Sequence, residues 1–207
     1  MIRPPGWSGV AFSEASDGDL RSDSSARRVV AESLGIAERW ATVRQVHGSD
    51  VTRVSSPGDR GEGDAMWTTT PGLPVAILTA DCHGVVLQAD DAVGVAHAGW
   101  RGAAAGVVER LRVEMTRGGH TPERAAIGPG IGPCCFEVGA EVSERFPDHG
   151  AETDWGAVSV DLGAVIVQQL EGLEIWNGEE CTLHEGRWFS HRRDATPQRM
   201  AAVGWLA

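Results

Sequence analysis

LPVAILTADCHGVVLQADDAVGVAHAGWRG, residues 73–102, contains three short apolar runs rich in Val and Ile, at 73–79, 84–88 and 92–97. Each is bounded by polar residues or glycine and is no longer than one strand. They read as buried β-strands rather than as parts of one helix, and Cys82 and His97 then fall at strand ends. Beyond Gly102 the period changes. Val107 or Val108, Leu111 and Met115 share one face at helical spacing, and Gly118-Gly119 stops the run. Strand, short turn and helix are expected across 92–117.

Upstream, Ala26, Val29, Val30 and Leu34 follow helical spacing over 26–34, with Gly35 as terminator, after an irregular Ser/Asp/Gly-rich loop at 13–27. Residues 43–54 read as a strand, a turn carrying His47 and a second strand, and 55–63 as a Pro/Gly/Asp loop. Downstream, 125–135 reads as a strand running into a Gly/Pro-rich loop. Leu162, Val165, Ile166, Gln169 and Leu170 mark a helix face capped by Asp161, and 188–190 and 200–206 suggest two more strands. With no repeat and no linker, the 207 residues are expected to form a single mixed α/β domain spanning 1–207.

Hydrophobic residues make up 42% of the chain and charged residues 23%, as in ordinary folded proteins. The net charge of -11 repels phosphate backbones and anionic membranes, and no Lys/Arg run offsets it. Nucleic-acid and membrane partners are therefore not expected. The first fourteen residues do not read as a secretory signal, so a cytosolic protein is expected. Cys82, Cys134, Cys135 and Cys181 include no CxxC pair and do not form a disulfide framework.

Two imidazoles and a thiol, His47, Cys82 and His97, form a ligand set suited to zinc, with copper also compatible. They are 35 and 15 residues apart, unlike the closely paired ligands of zinc fingers. Catalytic zinc sites take three ligands from distant strand ends and leave a fourth position open. Two other readings stay open. Cys82 could be a hydrolase nucleophile with His97 as its base, acting on an amide or peptidoglycan precursor without metal. Alternatively, the triad could be a structural zinc site in a binding protein, although no fourth Cys or His has a matching position and His83 is expected to face away.

The segments RQVHGSDV (44–51), TADCHGVVL (79–87), VAHAGWRG (95–102), GPGIGPCCFEVG (128–139) and FSHRRD (189–194) occur in this order. Together they resemble the YfiH-like family, formerly called the laccase-domain or polyphenol oxidase family and linked to purine nucleoside phosphorolysis and adenosine deamination. The resemblance implies a layered α/β/β/α sandwich, similar to the cytotoxic necrotizing factor deamidases. It also implies that His47, Cys82 and His97 are metal ligands and that the substrates are a purine nucleoside and phosphate. Most members carry an FSTR-x-GG-type segment and a longer loop before an Asn-Arg pair. Here FSEASDGDLR (12–21) and Ala26-Arg27 stand instead, leaving Arg21 or Arg27 as the substitute cation. Copper-dependent phenol oxidation, suggested by the older family name, fits poorly with seven histidines and one convincing triad.

An open zinc site activates water for attack on C6 of adenine, or orients phosphate for attack on the ribose. Asp81, beside Cys82, is a candidate orienter or proton carrier. Arg101, ahead of the expected helix, is a candidate anion ligand with the free backbone N–H groups there. Arg44, three residues before His47, can reach the same pocket, and Arg192, between His191 and Arg193, can face a substrate phosphate. The loop at 128–133 lacks a following Lys-Ser or Lys-Thr and is not a P-loop. Cys134-Cys135 reads as structural, because adjacent cysteines form strained bridges.

Overall fold

The computed structural model describes residues 1–184 and 186–206. In chain order its strands are β1 (Val10–Phe12), β2 (Ala41–Arg44), β3 (Val51–Arg53), β4 (Gly58–Glu62), β5 (Ala65–Thr68), β6 (Val75–Thr79), β7 (His83–Ala89), β8 (Ala92–Ala98), β9 (Arg124–Ile127), β10 (Gly150–Glu152), β11 (Val158–Val160), β12 (Glu174–Asn177) and β13 (Met200–Gly204). Its helices are α1 (Ser24–Leu34), α2 (Trp100–Ala104), α3 (Val107–Arg117), α4 (Ala140–Ser143), α5 (Leu162–Gln169) and α6 (His191–Asp194).

Two sheets dominate, in the orders β1-β13-β6-β2-β4 and β12-β9-β7-β8-β5-β3. Alternation along the strands stacks them. Val75 and Ile77 of β6 meet Val86 of β7 and Val93 and Val95 of β8 in the layer between the sheets. The intervening Ala76 turns outward onto Val30, Ala31 and Trp40 beneath α1, while Val85, Leu87 and Ala96 turn the other way onto α3 and α5 through Leu111, Met115 and Ile166. Both faces of each central strand are covered, which is why residues 73–97 read as unbroken apolar runs. The protein is a mixed α+β fold, layered helix, sheet, sheet, helix.

Helix α1 ends, as expected, at Gly35 in the left-handed conformation (φ 68°), and the Asp23 carboxylate caps its start. Val29, assigned to its buried face, is instead 57% exposed; Ala26, Val30 and Ala31 are the residues buried. The Asp161 cap of α5 is present, its Oδ1 accepting from the Ala164 N–H at 2.8 Å.

Four segments differ from the sequence expectation. The 55–63 loop contains β4, which pairs in parallel with β2 at the sheet edge, and its polar, mostly exposed residues give no strand signal. The 13–27 loop is cut short by a 3-10 turn at Ala15–Asp17 and by α1. The turn expected after β8 is the short helix α2, so two helices follow that strand. Finally, 188–190 is not a strand. Trp188 is apolar because it is fully buried, and its carbonyl accepts from the Arg193 guanidinium at 2.9 Å rather than from a neighbouring strand. The HRRD segment that follows is helical, with Ser190 as its cap.

Candidate metal centre and substrate cavity

The strand, turn and strand expected at 43–54 are present, but the two strands lie in different sheets. The chain leaves β2 in the first sheet, passes His47 and enters β3 in the second. It crosses again between β6 and β7, through Asp81 and Cys82. At these two of its several crossings a non-glycine residue adopts left-handed backbone, His47 with φ 61° and Asp81 with φ 85°, two of four such residues among those described. That conformation is disfavoured for residues bearing a Cβ and concentrates at functional sites. The Gln45 side chain joins the crossings, donating to the Leu78 carbonyl and accepting from the Leu78 N–H, both at 2.8 Å.

His97, near the end of β8, completes the group. One donor atom from each of His47, Cys82 and His97 lies within 4.8 Å of the others. The two imidazoles meet edge to face, with centroids 4.8 Å apart. Gly99 leaves the space for this: a Cβ there would stand 2.8 Å from Cys82 Sγ and 3.1 Å from His47 Cδ2. The donor set fits a borderline-soft cation such as zinc, and no further Cys, His or carboxylate among the described residues joins the group. His83 faces away as expected, its Nδ1 3.0 Å from the Gly128 carbonyl.

Asp64 organises the centre and was not identified from the sequence. Fully buried, it lies 2.8 Å from His97 Nδ1 and accepts from the backbone N–H groups of Val46, His47 and Gly48 at 3.1, 3.0 and 2.7 Å. With Nδ1 engaged, Nε2 is the His97 nitrogen left for the centre. The available signal was a lone carboxylate between Gly63 and the apolar run of β5, a run too short to be read as a strand.

The electrostatics follow from these contacts. Burial pushes the Cys82 thiol up, but hydrogen bonds with His47 and His97 outweigh it and bring the pKa down to about 6. Burial opposes charge on His97, yet Asp64 and Cys82 raise it to about 9. Burial likewise opposes ionisation of Asp64, but the His97 and backbone hydrogen bonds hold it below its usual range. Without a metal, the centre is therefore a thiolate beside an imidazolium near neutral pH.

The triad opens into a cavity of about 640 Å³, the size of a small-molecule site. Arg21, Arg44, Arg192 and Arg199 line it, with Asp81 as the one carboxylate among the described residues, and Trp100, Ile131 and Phe136 supply apolar wall. This cationic mouth opposes the protein's overall negative charge. Arg44 is exposed and ion-paired to Glu62 at 3.1 Å. The Arg192 guanidinium lies over Phe136 and donates to the Glu137 carbonyl at 3.0 Å. Asp81 has both carboxylate oxygens engaged, one by the Thr182 hydroxyl and the other by the Arg192 backbone N–H, each at 2.7 Å. Arg101 is not brought to the cavity; it is exposed within α2 and stacks over Trp100, 4.2 Å from the ring centroid. Of the two substitute arginines, Arg21 lines the cavity. Arg27 instead donates to the Leu20 carbonyl at 2.7 Å and covers Trp40.

A two-sheet α+β sandwich with a Cys/His triad, two members where the chain changes sheets and the third near the end of β8, defines a protein with a candidate metal centre facing a small-molecule cavity. The family model described as multi-copper polyphenol oxidoreductase laccase matches residues 5–207, and the chain belongs to this YfiH-like family. A purine nucleoside phosphorylase of Deinococcus radiodurans is 36% identical, with 96% of this chain and 83% of that protein covered. The Escherichia coli purine nucleoside phosphorylase YfiH is 37% identical over 79% of this chain and 72% of its own. The crystal structure of the Bacillus licheniformis hypothetical protein YfiH superimposes with a TM-score of 0.86 at 25% identity, covering 96% of this chain and 92% of that one. These relatives support a nucleoside-processing enzyme. No helix among the described residues is long and apolar enough to cross a membrane.

Proposed function

We propose that the protein is a zinc-dependent purine nucleoside enzyme, splitting adenosine, inosine or methylthioadenosine with phosphate and deaminating adenosine with water. The observation that carries this reading is that the His47, Cys82 and His97 triad shares one cavity lining with four arginines and with Trp100, Ile131 and Phe136. The arginines suit an oxyanion such as phosphate, and the apolar wall suits a planar base.

His47, Cys82 and His97 would hold the ion, which would supply Lewis acidity when bound. Asp64, held at His97 Nδ1, leaves Nε2 as the nitrogen that would serve as ligand. Arg44, Arg192, Arg21 and Arg199 gather phosphate and orient one oxygen toward ribose C1′, where a C–O bond forms as the bond to the purine nitrogen breaks. Their positive charge stabilises the anionic nucleophile. Asp81 acts as a positioning residue, holding the backbone of Arg192 beside the cavity. In deamination, water takes the place of phosphate and attacks C6 of adenine, with ammonia leaving. The protein is proposed to work in the cytosol as a monomer.

The depressed thiol beside a raised imidazole also matches a cysteine nucleophile with its base, which favours the metal-free hydrolase as a second reading. One experiment separates the two. Adenosine and inosine are incubated with the purified protein, with and without phosphate, before and after chelation, alongside a Cys82→Ala variant and metal quantification. Free base formed only with phosphate, or inosine formed from adenosine, with activity lost on chelation while the fold persists, supports the zinc enzyme. A metal-free protein that leaves both nucleosides intact overturns it.

A further inference from the structure

A second group of donors lies outside the cavity lining. Cys134 and Cys135 sit in the turn after the Gly/Pro-rich loop, and their sulfurs are 3.3 Å apart. Asp154 comes from the turn between β10 and β11, and its backbone N–H donates to the Cys134 carbonyl at 2.9 Å. His184 comes from a third segment and places Nε2 3.3 Å from the Asp154 carboxylate. One donor atom from each of these four residues lies within 4.8 Å of the others. Cys181 stands beside them, its sulfur accepting from the Gly132 N–H at 3.2 Å, and a Cβ on Gly132 would meet both the Cys134 and Cys181 sulfurs, at 3.3 and 3.5 Å.

Two thiols, an imidazole and a carboxylate converging from three separate segments make a four-ligand set for a borderline-soft divalent ion. With all four positions filled by protein, such a site is closed and structural, unlike the three-ligand centre in the cavity. We propose that Cys134, Cys135, Asp154 and His184 form a second, structural zinc-class site that fastens the 181–184 segment to the turn at 134–135. The fastened segment carries Thr182, whose N–H donates to the Gly130 carbonyl at 2.9 Å and whose hydroxyl holds Asp81. Occupancy of this site therefore steadies the Asp81 and Arg192 side of the cavity from behind.

Cobalt(II) is the probe, because its visible bands report tetrahedral geometry and its ultraviolet charge-transfer band reports thiolate ligation. The full chain is expected to bind two equivalents and Cys82→Ser to retain one, with the charge-transfer band. Adding His184→Ala to Cys82→Ser should weaken that remaining equivalent at least tenfold, about the loss expected for removing one ligating or supporting group. Adding Cys134→Ser should reduce the charge-transfer band. His184 is half exposed, so its removal leaves the core untouched and keeps the test decisive if the cysteine variant does not fold. A Cys82→Ser chain that binds no cobalt overturns the proposal, as does one whose affinity is unchanged by His184→Ala.

Discussion

The Asp64 carboxylate lies 2.8 Å from Nδ1 of His97, and the same side chain accepts the backbone N–H groups of residues 46, 47 and 48. One buried carboxylate thus orients one imidazole and fixes the loop that presents another. Asp64→Asn keeps the shape but replaces an acceptor oxygen with a donor. Metal affinity is expected to fall about 10- to 100-fold, as for other supporting groups of metal-bound histidines. Competition against a chromophoric chelator measures it, and affinity within twofold of wild type would remove Asp64 from this role.

Gly99 tests the packing of the triad. Its φ of -76° suits any residue, so Gly99→Ala adds only a Cβ that collides with Cys82 Sγ. The fold should persist by circular dichroism while zinc binds more weakly. A variant with wild-type affinity would show that the thiol can move aside without cost.

The arginines separate by position. Losing one charge-assisted contact to phosphate costs about 1.5–3 kcal/mol, so Arg192→Ala should raise the KM for phosphate by roughly 10- to 100-fold. Arg101→Ala, at an exposed position over Trp100, should leave it within about twofold. Equal effects in steady-state kinetics would contradict the placement of these side chains.

Glu14 predicts a pH dependence of stability. Its hydrogen bond with Arg187 leads the contacts that hold its pKa at about 2, against 4.5 for a free glutamate. A carboxylate depressed in the folded state contributes stability that is fully present above about pH 4.5 and is lost as pH falls toward 2. Urea midpoints for Glu14→Gln should therefore decline less steeply over that interval than those of the wild type. Parallel curves would show that the pair contributes nothing.

Much of this was legible in the residues. Runs such as 84–88 and 92–97 marked strands because both faces of the central strands are buried, and His47, Cys82 and His97 stood out as a possible ligand set chiefly through the motifs around them. Pairing was harder to read. Strands β2 and β3 are separated by six residues yet belong to different sheets, since the layer each strand joins depends on distant partners. Strand β4 was hidden because an edge strand facing solvent need not be apolar. Asp64 was hidden because its meaning lies in contacts 16 to 33 residues away. Arg101 misled for the opposite reason: it adjoins the site in sequence, but the early start of α2 turns it onto Trp100.

The strand order of the first sheet bears on the timetable of synthesis. All three triad residues lie within the first 97 positions, whereas β13, which sits between β1 and β6, is contributed by Met200–Gly204. A growing chain therefore carries its triad long before the layer behind it can close. Until β13 arrives, β1 and β6 have open edges, and a product shortened before Met200 would expose those edges to neighbouring chains.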